Sequence, residues 1–274
     1  MLFKRIFSAI IGILLFVFFL FLGDFPFFVF ILLITMLGVN ELINIIYNKQ
    51  KSNIDKIKIK ILLSFSSLII ILNTYFYSTG QYNSGQSFLV YIPLIIIIFL
   101  SKIQTGYNNI IKKIGADLFI LVYFAGGMSF FILLANYNKA PLTGSRALWL
   151  ALIVTWCTDS GAYFIGNKYG QKKLAPKISP NKSWEGAIGG TFTAALASVI
   201  ISLILNVFSY HWIFYGMTLA LLAIFGDLFA SCIKRDNKIK DSGKIIPGHG
   251  GILDRFDSLI FTLPFTYMYL FIYF

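Results

Sequence analysis

Cysteine and histidine are scarce in this 274-residue chain, two of each, and the scarcity excludes two chemistries at once. Cys157 and Cys232 form no CxxC pair, so neither a disulfide framework nor a zinc site is supported, and any metal must be held by oxygen. Charge is scarce too: Asp, Glu, Lys and Arg make up 12% of residues, against 58% hydrophobic, 18% aromatic and a mean hydropathy of +0.79. Those values exclude a water-soluble globular enzyme and a disordered chain, and leave an integral membrane protein. No GxxxxGK[ST] pattern is present, and GAIGG at 186–190 does not replace it, so there is no P-loop. Period-2 alternation is also missing. Runs such as Ile10 to Leu22 are continuously apolar, which argues for helices and against an outer-membrane barrel.

A helix that crosses the bilayer needs about 20 predominantly apolar residues, since the hydrocarbon core is ~30 Å thick and each residue rises ~1.5 Å. On that rule the sequence predicts an all-α, polytopic membrane protein of about nine transmembrane helices: 6–22, 25–47, 61–77, 86–101, 116–135, 146–166, 185–205, 211–231 and 258–274. Lys4 and Arg5 ahead of an apolar run also suit a secretory signal. That run, however, ends in Gly23, Asp24, Phe25 and Pro26 without a small-residue cleavage pattern, and a second span follows at once, so the first helix is expected to be retained. With the N-terminus cytoplasmic, the inner segments collect every Lys and Arg except Lys139 and Arg146, which satisfies the positive-inside rule and places the C-terminus outside. The net charge of +12 then follows from topology and from attraction to anionic lipid headgroups, and nucleic acid has no place as a partner.

Acidic residues are more informative, because topology does not require them. Asp24, Glu41, Asp55 and Asp117 are spread over the first 150 residues, whereas Asp159, Glu185, Asp227, Asp236, Asp241, Asp254 and Asp257 crowd between 159 and 257. Asp159 and Asp227 fall inside predicted spans, near their cytoplasmic ends. An ionised Asp at a helix centre costs ~2.5–3.5 kcal/mol on insertion scales, so each should face protein, water or an ion. The plain alternative is an Asp tied to a neighbouring Lys. Asp227, Ser231 and Lys234 stand at i, i+4 and i+7, with Arg235 at i+8, which puts a carboxylate, a hydroxyl and two cations on one helix face. Ala162 with Gly166, and Gly186 with Gly190, are small-xxx-small pairs that predict close helix packing rather than catalysis.

The segment 231–258, SCIKRDNKIKDSGKIIPGHGGILDRFDS, contains Pro247, Gly248, His249, Gly250 and Gly251 in succession. Such a run specifies a tight backbone path, with positive φ available at the glycines and consecutive N–H groups able to face a phosphate. Asp254 and Asp257 follow at i and i+3. Carboxylates without His or Cys partners select a hard cation such as Mg²⁺, which binds protein carboxylates and substrate phosphates together, while lysines and arginines neutralise the remaining phosphate charge.

Ser231, Lys234-Arg235, Lys240-Asp241, Gly243, Pro247, His249-Gly250-Gly251, Asp254-Arg255 and Asp257 together resemble the signature of the phosphatidate cytidylyltransferases, or CDP-diacylglycerol synthases. KISPNKSWEG at 177–186 and TDSGAYFIG at 158–166 are similar to two further segments of that family, so the resemblance covers about 158–258. Ala230 departs from it, since the family commonly has Glu there. The resemblance implies condensation of CTP with phosphatidic acid, with Mg²⁺ required, a second cation left open, and a homodimer; that reaction calls for a site on the cytoplasmic face, and the abundance of Ile, Phe, Lys and Asn with little Ala suggests a bacterial inner (plasma) membrane. It divides the chain into N-terminal spans, 1–145, and a catalytic region, 146–274, with cytoplasmic loops at 167–184 and 232–257. Under it, Asp227 and Asp254 hold the metal with Asp257 as helper, and Lys182, Lys234, Arg235, Lys240 and Arg255 bind triphosphate and lipid phosphate. Ser183, Ser231, Gly250 and Gly251 line the substrate, His249 orders backbone or hydrogen-bonds phosphate, and Asp159 and Asp241 support the site. Two rivals remain: a CTP-dependent transferase or kinase acting on another lipid phosphate or a polyprenol, and a secondary transporter using Asp159, Asp227 and Glu41 as coupling sites. Turnover of CTP in detergent without a gradient separates the enzyme from the transporter.

Overall fold

The computed structural model describes residues 2–48, 53–103, 109–243, 245–246 and 250–274, with side chains from Phe7 in the first stretch and from Ile54 in the second. The apolar runs form α1 (Leu2–Phe21), α2 (Asp24–Ile46), α3 (Asn53–Ser78) and α4 (Ser84–Ile103). They continue as α5 (Ile110–Ile120), a π-helical turn at Leu121–Gly126, α6 (Gly127–Ala135) and α7 (Ser145–Tyr169). A hairpin of β1 (Lys173–Ala175) and β2 (Ser179–Ser183) precedes α8 (Trp184–Ile204), α9 (His211–Asp236), α10 (Leu253–Phe256) and α11 (Leu259–Tyr273). Each of the nine predicted spans lies on a helix or a helical run. Among the described residues eight of these are long and apolar enough to cross a membrane, and Phe7–Phe21 of α1 is a shorter apolar helix. The protein is a multi-pass, essentially all-helical membrane protein.

Three differences from the sequence expectation have physical causes. Helix α3 begins at Asn53 rather than 61, because hydropathy marks the lipid-facing part of a helix and not the reach of its hydrogen-bond ladder; exposed Lys58 lies in this extension. Helix α9 likewise runs past 231 to Asp236, so Lys234 and Arg235 occupy its last turn, where cations suit the negative end of the helix dipole. The 167–184 loop is partly an antiparallel ribbon, pairing Lys173 with Ser183 and Ala175 with Ser179. Pro176 and Pro180 hid that ribbon from pattern reading, since proline is tolerated only at strand edges and turns.

The chain forms two compact units: Met1–Asn136 with Asp241–Leu253, and Tyr137–Lys240 with Asp254–Phe274. In the first, α2 is central and buries Ile31, Val39, Leu42 and Ile43, and the Phe124 ring lies where a Cβ on Gly38 would sit. In the second, α7 and α8 pack at backbone distance. A Cβ on Gly186 would come within 2.8 Å of the Ala162 carbonyl, and one on Gly190 within 2.7 Å of the Thr158 carbonyl. The small residues therefore serve close packing, as their spacing predicts. Thr193 Oγ1 donates to the Cys157 carbonyl (2.9 Å) and Thr155 Oγ1 to Thr262 Oγ1 (3.2 Å), which ties α8 and α11 to α7.

Candidate functional site

In the second unit, Asp227 sits one residue beyond Gly226 on α9. A Cβ at Gly226 would lie 2.6 Å from the Asp257 carbonyl and 3.1 Å from Ser258 Cα, so α9 touches the break between α10 and α11 directly. This close approach puts Asp227 beside Asp257, and Asp257 lies in the electrostatic field of Asp227, Lys234 and Asp159. Lys182, from β2, reaches Asp227 Oδ2 at 2.6 Å, and Ser231 Oγ donates weakly to Asp227 Oδ1 at 3.4 Å. The plain alternative for Asp227, a lysine partner, is thus realised, with a side chain that is still 37% exposed. Asp159 is open to the surface and interacts electrostatically with both Asp227 and Lys182.

A second ion pair joins Lys234 Nζ to Asp254 Oδ1 at 2.6 Å, with both side chains largely buried. The i+7 spacing therefore does bring Lys234, like Asp227, to the side of α9 that meets Asp257. Arg235, one position on, turns elsewhere: its Nε donates to the Ile178 carbonyl (3.3 Å) and its guanidinium to the Ile239 carbonyl (2.9 Å), so it pins the hairpin to the end of α9. Ser183 is the N-cap of α8 and accepts from Gly186 N–H at 3.1 Å. Glu185 accepts from Lys172 N–H, which holds the other side of the hairpin. Sequence reasoning assigned Glu185 no role, although Ser183 followed by Glu185 is a recognisable helix start. Arg255 and Lys240 are exposed.

Gly250 and the residues after it to Leu253 belong to the first unit, and there Gly251, Ile252 and Leu253 meet an internal anion. Glu41 of α2, only 4% exposed, accepts from Ser242 Oγ (3.1 Å), Ile252 N–H (2.9 Å) and Leu253 N–H (3.0 Å). The consecutive N–H groups of Ile252 and Leu253, just after Gly251, are given to this carboxylate. Gly250 has φ of 86° and its carbonyl accepts from Ile246 N–H at 3.0 Å. Gly251 is required by proximity: a Cβ there would lie 2.4 Å from Glu41 Oε2. Asp241 is exposed in the same unit. His249, with Pro247 and Gly248, lies outside the described residues.

Among the described residues, no group of three or more His, Cys, Asp or Glu side chains forms a ready-made metal cage. The donors in the second unit are carboxylate oxygens with lysines beside them. That set fits Mg²⁺, which retains waters and takes one or two carboxylates plus substrate phosphates, rather than a metal caged wholly by protein.

A family model described as "Cytidylyltransferase family" matches residues 3–273. A phosphatidate cytidylyltransferase of Bacillus subtilis (strain 168) is 31% identical over 270 residues, 97% of each chain. One from Rickettsia prowazekii (strain Madrid E) is 37% identical over 227 residues, 80% of this chain and 96% of its own. Another from Staphylococcus haemolyticus (strain JCSC1435) is 33% identical over 267 residues, 95% of each.

Proposed function

Because the chain belongs to the cytidylyltransferase family, we propose that it condenses CTP with phosphatidic acid to give CDP-diacylglycerol and pyrophosphate, at the cytoplasmic face of the inner (plasma) membrane. An oxygen of the lipid phosphate attacks the α-phosphorus of CTP, and the bond from that phosphorus to the β-phosphate oxygen breaks, so the electron pair leaves with pyrophosphate. The attacking phosphate is ionised at neutral pH, and no histidine or serine base is demanded. Catalysis then reduces to positioning and charge stabilisation.

The observation that carries the reading is the two lysine–carboxylate pairs, Lys182 with Asp227 and Lys234 with Asp254, each at 2.6 Å. A phosphate arriving at either pair meets a cation supplied by the protein itself. Asp227 and Asp254, helped by Asp257 and Asp159, would hold Mg²⁺, which when bound supplies positive charge to the reacting phosphates. Exposed Arg255 and Lys240 would add positive charge toward phosphate, while Arg235 acts first by holding the hairpin that carries Lys182. The acyl tails stay in the bilayer and CTP in the cytosol, and the ends of α7 and α9 lie where the two meet.

The test is pyrophosphate release by purified protein given CTP, Mg²⁺ and phosphatidic acid in mixed micelles, beside Asp227→Ala and Asp254→Ala. Release should need all three components and fall by about 10²-fold or more in each variant. Wild-type rates in Asp227→Ala would remove the metal assignment. Release only with a different lipid phosphate would keep the chemistry and change the substrate.

A further inference from the structure

We propose that Glu41 is a positioning residue: its carboxylate is the internal anion that gathers Ser242, Gly243 and Gly251–Leu253, and it thereby fixes the residue that precedes Asp254 in the chain. The inference rests on the function proposed above only for its kinetic consequence. Three donors converge on one buried side chain, namely Ser242 Oγ, Ile252 N–H and Leu253 N–H. Two glycines make room for it. A Cβ on Gly243 would lie 2.4 Å from Glu41 Oε1 and 2.9 Å from its Cδ, and a Cβ on Gly251 would lie 2.6 Å from Oε1 and 2.1 Å from Ser242 Oγ.

Leu253, whose N–H is bound, is the first residue of α10, and the next residue is Asp254, the partner of Lys234. A loop rich in glycine has a large conformational entropy to lose, so without a fixed anion it would sample many paths. A carboxylate taking consecutive N–H groups supplies that fixed point through charge-assisted hydrogen bonds. It also assigns the work of binding substrate phosphate to the lysines and arginines, since these amides are already engaged. A buried Glu on a membrane helix is otherwise costly, and the loop is what satisfies it.

The experiment compares wild type with Glu41→Gln, Gly243→Ala and the double variant, all as the full chain in detergent. Gln keeps the shape but replaces one acceptor oxygen by a donor, and Ala at 243 displaces the carboxylate while leaving Glu41 in place. Amide hydrogen exchange of peptides covering 242–253 should quicken by about tenfold or more in either single variant, as expected when a buried N–H loses its acceptor. With CTP and phosphatidate, kcat should fall by at least about tenfold while KM for CTP stays within about threefold, a split expected of misplaced machinery rather than lost binding. The double variant should be no worse than the poorer single, because both remove the same contact. Unchanged exchange in Glu41→Gln, or unchanged kcat in an active enzyme, overturns the proposal. If the wild type itself fails to use CTP, the proposed function falls, while the exchange measurement still decides whether Glu41 anchors the loop.

Discussion

Lys102 lies where topology expects a cytoplasmic lysine, yet its side chain is 3% exposed and its Nζ lies 2.5 Å from Asp117 Oδ2, in a carboxylate that is fully buried. The Tyr47 hydroxyl donates to the same carboxylate, so the ends of α2 and α4 are joined to α5 by one polar cluster. A buried pair of this kind is strongly destabilised when a single partner is removed, since the survivor stays charged without its counter-ion. Lys102→Met should therefore cost about 3–5 kcal/mol, seen as a lowered thermal midpoint of the purified protein. Lys102→Met with Asp117→Leu should recover most of that loss. Tyr47 would still have the Lys113 carbonyl, 3.3 Å away, as an acceptor in the double variant. Glu41 and Lys102 make the same point about single residues: an ionisable group on an apolar helix announces that it has a partner, but the partners of Glu41 lie more than 200 positions along the chain. Nothing in local spacing identifies them.

At the scale of elements, the site depends on how closely α9 approaches the start of α11. Gly226 is the contact point, and the residue after it is Asp227. Gly226→Ala would push against the Asp257 carbonyl, which is backbone and cannot swing aside, at an overpacking cost of about 1–3 kcal/mol. Because the strain falls between Asp227 and Asp257, pyrophosphate release should drop further than the thermal midpoint alone implies. Gly12→Ala is the control, with nothing within 4 Å of the added methyl, and should change neither rate nor midpoint measurably. The hairpin is a second such element. It has only two short strands, and it is fixed from outside by Arg235 on the Ile178 carbonyl and by Glu185 on Lys172 N–H. This is how Lys182 is delivered to Asp227 from a segment with little stability of its own.

For the molecule as a whole, orientation in the membrane is the open physical variable, and charge predicts it. Exposed Lys177 in the hairpin and exposed Lys139 before α7 should lie on opposite faces. In a background of Cys157→Ser and Cys232→Ser, Lys139→Cys should react with a membrane-impermeant thiol reagent in right-side-out vesicles, and Lys177→Cys only in inverted ones. Labelling of Lys177→Cys in right-side-out vesicles would reverse the assignment of the site to the cytoplasm. The apolar helices were determined by the sequence, because hydrocarbon tolerates only long apolar segments whose backbone bonds are satisfied internally. The family and the residues that carry it were also legible there, since the motif residues crowd into about a hundred positions and topology leaves their carboxylates unexplained. Tertiary structure decided what the described ones touch. It gave Asp227 to Lys182 and Asp254 to Lys234, turned Arg235 onto carbonyls, and set the Ile252 and Leu253 amides on Glu41. Pairings of that kind join segments distant in the chain, and they follow from which backbones can approach closely, which no local pattern of residues specifies.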